Sequence, residues 1–95
     1  STPYEPDGKF YGIAGTVKGM IGDYYKMEST GILGKRIFLL DTSEKLKQEE
    51  LVRIVGKFNK VMMLSTLFSA VKKPYAVFSD LCFNNGKLLE PCEIK

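Results

Sequence analysis

Apolar and polar positions alternate most tellingly between Lys35 and Phe58. Arg36-Ile37-Phe38-Leu39-Leu40 is a run of β-branched, aromatic and aliphatic residues with the length of a buried strand. Asp41-Thr42-Ser43 ends the run and offers side-chain oxygens that suit a helix cap. Behind it, Leu51, Ile54, Val55 and Phe58 recur at the i, i+3, i+4, i+7 spacing of one helix face. Glu49 precedes Arg53 by four residues, the favourable order for a helical ion pair. The spacing predicts a helix that begins at Thr42–Ser43 and packs that apolar face onto a sheet containing Ile37, Leu39 and Val77.

Upstream, residues 1–8 contain two prolines and end in Asp-Gly, an extended arm and turn. From Lys9 to Ile21 the pattern is that of a strand, with Tyr11, Ile13, Val17 and Ile21 on one parity. Glycines at 12, 15, 19 and 22 interrupt it, and a glycine inside a strand marks a bulge, a bend or a close backbone approach. Asp23 to Glu28 reads as a second strand and Ser29 to Gly34 as a loop. Gly34-Lys35 does not open a phosphate loop. Ser29 stands where the Walker pattern needs its first glycine, and Arg36 where it needs Ser or Thr.

Downstream, Lys60 to Val71 is apolar on nearly every side, so periodicity alone does not separate a strand from a continued helix. Val61, Thr66 and Phe68 favour a new strand. Lys72-Lys73-Pro74 reads as a turn, and Tyr75 to Phe83 alternates with Tyr75, Val77, Leu81 and Phe83 on one face. Asn84-Asn85-Gly86 signals a hairpin, and Lys87 to Ile94 returns as an edge strand, since Pro91 lacks a ladder donor. Three strands, a helix and two strands is an order similar to that of the OB barrel. The predicted class is therefore α+β, a small five-stranded OB-like β-barrel with one amphipathic helix between strands three and four. The alternative is a ββ-α-ββ sheet crossed by one long helix from Ser43 to Val71.

Composition narrows the function classes. Ninety-five residues make one domain, and 44% hydrophobic with 26% charged residues is the balance of a folded globular chain. Val61 to Leu64, the longest apolar run, is far too short to span a bilayer, so no membrane partner is expected. Histidine is absent, which removes the usual general base and the commonest metal ligand. Two cysteines do not complete a zinc site. Asp41 and Asp80 both lie near ends of apolar runs, where they read as a cap and a solvent-facing acid rather than a catalytic pair. No catalytic residue, metal or cofactor is expected, and a non-enzymatic binding module is the better reading.

The remaining chemistry is aromatic and basic. The net charge of +3 gathers in residues 35–60, where seven Lys or Arg face four acids. Lys9, Tyr11, Lys18, Tyr24, Tyr25 and Lys26 interleave rings and cations on the first two strands, and Lys35 and Arg36 open the third. Single-stranded nucleic acid is held by such surfaces, with bases stacked on rings and phosphates beside cations. The competing expectation is a protein partner engaged through the Lys87–Ile94 edge. Across an Asn85-Gly86 turn, Cys82 and Cys92 stand three strand positions out of register, roughly 10 Å apart and too far to bridge. Free thiols point to a reducing, cytoplasmic setting.

Overall fold

The computed structural model describes residues 5–31, 34–84 and 87–88, without the side chains at 30, 80, 82–84 and 87–88. Its elements are strands: β1 (Phe10–Ile21), β2 (Tyr24–Gly31), β3 (Gly34–Leu40), β4 (Leu51–Thr66), β5 (Ser69–Asn84) and the two-residue β6 (Lys87–Leu88). They lie in the order β3-β2-β1-β4-β5-β6, each antiparallel to its neighbour. β3 also pairs with β5 in parallel, through Leu39 with Val77 and Leu40 with Phe78. That contact turns the mixed sheet into a closed ring.

The α+β class is overturned, and with it both the helix-bearing OB-like barrel and the ββ-α-ββ alternative. There is no helix among the described residues. The residues expected as a helix divide instead into a coil over 41–50 and the first half of β4. Val52, Ile54, Gly56 and Phe58 face inward at period two and are buried, whereas Leu51 is 58% exposed. Ile54 and Phe58 serve both periods, which is why the helical reading arose. The β-branched Val52, Ile54 and Val55 prefer the strand, and Gly56 opposes a helix. β4 then runs on without a stop to Thr66, turns at Leu67-Phe68, and returns as β5. Lys72-Lys73-Pro74 is thus mid-strand, with Pro74 opposite Met63, and not a turn.

The first strand follows its glycines. A register shift between Val17 and Gly19 marks a bulge at Lys18, where Gly19 takes φ 131°, a conformation open to glycine and strained for other residues. Gly15 and Gly56 answer to space rather than dihedrals. A Cβ on Gly15 would lie 3.1 Å from the Glu28 carbonyl and 3.2 Å from the Phe38 ring. One on Gly56 would lie 2.8 Å from Leu81 Cδ2. Inside the ring, Val17, Met27, Leu40 and Val52 pack in one cluster with Phe38, Phe58 and Phe78. Leu39 and Val77 are buried on the opposite face of the same ladder, as strand alternation requires.

The coil at 41–50 is held by side chains. Thr42 Oγ1 accepts from the Glu44 N–H (3.1 Å), and the Tyr25 hydroxyl donates to the Glu44 carbonyl (3.2 Å) while accepting from the Leu46 N–H (3.1 Å). Leu46, thus tethered, packs against the core. The Asp41 backbone N–H donates to the Phe78 carbonyl (2.8 Å), so Asp41 caps no helix.

Several sequence expectations lie outside the described residues. They are the first four residues of the N-terminal arm, the Asn85-Gly86 turn, Pro91 and the edge strand beyond Leu88, the Asp80 carboxylate, and the thiols of Cys82 and Cys92.

The strand reading of residues 51–58 is checked by two substitutions. Phe58→Ala should cost about 3–5 kcal/mol, because the ring is core. Leu51→Ala should stay within about 0.5 kcal/mol, because its side chain lies on the outer surface. Comparable losses at both sites in denaturant unfolding would restore the helical face. Gly56→Val should also destabilise, by about 1–3 kcal/mol despite valine's strand preference, through overpacking against Leu81.

Candidate functional site

β3 and β5 pair over only two residues, and before that ladder begins the two strands splay apart. Between Lys35–Phe38 on one side and Lys73–Ala76 on the other lies a cavity of about 620 Å³. Its floor is made by Ile13, Phe38, Phe58 and Phe78. Tyr11, two residues before Ile13 on the inward parity of β1, stands at the mouth. These rings form one cluster. Phe38 and Phe78 meet edge to face at 5.7 Å, Phe58 and Phe78 are tilted at 5.5 Å, and Tyr11 sets its edge on Phe78 at 6.1 Å. Such offset geometries fix ring orientation beyond simple burial.

Cations rim the cavity. Lys35 and Arg36 come from β3, and Lys73 from β5. Lys35 Nζ stands 3.8 Å from Glu28 Oε2, a loose surface pair worth little in water. Arg36 and Lys73 have no ion-pair partner among the described residues. Tyr75 completes the β5 wall. Opposite, the Tyr11 hydroxyl donates to the Asp7 carboxylate, which also accepts the Lys9 backbone N–H at 2.9 Å. The Tyr11 bond holds the Asp7 carboxyl below its ordinary range, and the same bond holds the Tyr11 phenol above its own.

Of the eight residues expected from sequence, the cavity therefore gathers Tyr11, Lys35 and Arg36. The others are placed elsewhere. Lys18 sits in the β1 bulge and bonds Glu49 Oε2 at 2.9 Å, which raises its ammonium pKa. Tyr24 meets Lys60, whose Nζ donates to the Tyr24 hydroxyl at 3.0 Å and lies 5.5 Å from the ring centroid. Tyr25 holds the 41–50 coil. Lys26 is half-buried on β2, and Lys9 is exposed before β1. Sequence reasoning missed Phe58, Phe78, Lys73 and Tyr75. The signal for Lys73 and Tyr75 was the uninterrupted strand character on both sides of Pro74, hidden by reading the proline as a turn.

The described residues contain no group of three or more His, Cys, Asp or Glu arranged to hold a metal. They also contain no helix long and apolar enough to cross a membrane. Compared with protein-family models, curated proteins and solved structures, the chain matches none of them.

The Asp7–Tyr11 pair sets a testable titration. Asp7→Asn should lower the Tyr11 phenol pKa toward the ordinary tyrosine value, because the carboxylate that disfavours phenolate is gone. Ultraviolet absorbance titration, with Tyr11→Phe identifying the contribution of that ring, reads the shift. An unchanged curve would separate Tyr11 from Asp7 in solution.

Proposed function

We propose that the chain is a non-enzymatic binding module that takes single-stranded nucleic acid into the cleft between β3 and β5. The observation behind this reading is the meeting, in one cavity, of Tyr11 and Tyr75 with Arg36, Lys35 and Lys73. A nucleotide has a flat apolar face and one phosphate charge, and a surface that pairs rings with cations accommodates both without reading sequence. A volume of about 620 Å³ belongs to the class of small-ligand sites. It therefore suits one or two unstacked nucleotides rather than a duplex. The Glu28 carboxylate beside Lys35 and the Asp7 carboxylate beside Tyr11 offset part of the attraction, so affinity is modest and strongly salt-dependent. A cytoplasmic setting is part of the same reading and rests on the sparing use of cysteine.

Fluorescence anisotropy against a mixed-sequence oligonucleotide tests the proposal. With three cations engaged, log K should fall with log salt at a slope of about −2. Arg36→Gln should flatten that slope by about 0.7, while Tyr75→Ala should cost about 1–3 kcal/mol if a base stacks there. Absence of binding at low salt and micromolar protein would retire the reading.

A further inference from the structure

We infer that the tip of the β4–β5 hairpin is a membrane-surface anchor, which seats Leu67 and Phe68 in the interface of an anionic bilayer. Past the ring, this hairpin is a two-stranded ribbon. β4 pairs with β1 only over Leu51–Lys57, and β5 pairs with β3 only at Val77 and Phe78. Beyond those ladders, among the described residues, the two strands pair only with each other, out to Thr66 opposite Ser69.

The turn that joins them is Leu67-Phe68, with the two side chains 97% and 98% exposed. Two-residue hairpin turns favour Gly, Asn and Asp, so neither residue serves the turn itself. Nor does either serve the core. Met63 and Val71, further exposed apolar side chains, flank them on the two strands.

The charge pattern selects the occupant. No Asp or Glu occurs between Glu50 and Asp80, while Arg53, Lys57, Lys60, Lys72 and Lys73 all fall in that stretch. The apolar tip leads and the lysines stand behind it. Lys72 lies four residues past Phe68, about 13 Å along the strand, and its stem can reach part of the way back toward the tip. Interfacial anchors bury their apolar end about 5–10 Å deep and leave cations at the headgroups. A nucleic acid would call for the opposite order, with cations outermost to meet phosphates. The shortness of the apolar runs bears on crossing a bilayer and not on resting at its surface, so the sequence-based expectation of no membrane partner does not reach this case.

Sedimentation of the full chain with phosphatidylcholine vesicles, with and without about 30% phosphatidylglycerol, tests the inference. Binding is expected on the anionic vesicles, weakened by salt and much lower on the neutral ones. Leu67→Ser and Phe68→Ser should each lower partitioning about tenfold, and Lys72→Gln about fivefold. Both tip side chains are solvent-exposed, so the double variant should keep the wild-type thermal transition. Wild-type binding that is absent, indifferent to lipid charge, or unaffected by the double variant overturns the inference. So does light scattering that finds the tip holding two copies together without vesicle binding. A third overturning result is oligonucleotide binding that falls with the tip substitutions while vesicles are ignored. Arg36→Gln and Tyr75→Ala should leave vesicle binding intact, so failure of the cleft reading and failure of this one are separable.

Discussion

Two residue pairs close this protein. Where Leu39 meets Val77 and Leu40 meets Phe78, the parallel ladder joins β3 to β5 and makes a ring of what would be an open sheet. An open edge leaves its N–H and C=O groups unpaired and its apolar face half covered. Closure answers both needs here. Leu40 and Phe78 enter the interior, and Leu39 and Val77 are buried on the other face. The brevity of the ladder matters as much as its presence. Had β3 and β5 paired along their whole length, no cleft would separate Lys35–Phe38 from Lys73–Ala76, and the cations and rings there would sit on a continuous sheet.

The two ends of the ring are finished differently. At one end, the 41–50 coil lays Leu46 against the core and is fixed by the Tyr25 hydroxyl, which serves one donor and one acceptor of its backbone. A tyrosine thus does the closing work that packing of a helix would otherwise do. At the other end no described residue covers the aromatic floor in a comparable way, and Tyr11 stands at the mouth with its hydroxyl engaged by Asp7. A buried, well-packed end and a ring-lined recess make a scaffold of the kind in which binding sites usually occur.

β4 and β5, at 16 residues each, are longer than ring closure demands. Among the described residues their outer halves pair only with each other, and a lone two-stranded ribbon is marginal in water. Val61 and Ala76 still touch the core, which anchors the base of the ribbon. Toward the tip the apolar side chains no longer have an interior to enter. Leu67 and Phe68 are accordingly left almost fully exposed at the tip.

Much of the strand content was legible in the sequence. The glycine-marked first strand, the Arg36–Leu40 run and the alternating Tyr75–Phe83 segment all follow from short-range pattern, because period-two alternation needs only neighbours to be read. So did the aromatic and basic character of the surface. Two things were not. Residues 51–58 satisfy both a helical and a strand period through Ile54 and Phe58, and local propensity differences of well under 1 kcal/mol per residue do not separate them. The choice came from the ring, where Val52, Ile54 and Phe58 face inward beside Gly56, at which a Cβ would lie 2.8 Å from Leu81 Cδ2. The cleft was equally invisible, since it depends on where the β3–β5 ladder ends, and that is set by contacts between residues nearly forty positions apart. Chain-local chemistry marked most of the strands and the charged and aromatic residues, while the strand at 51–58 was settled by the ring. Only ring closure decided which of them share a site, because long-range pairing fixes register and no short window of sequence contains both partners.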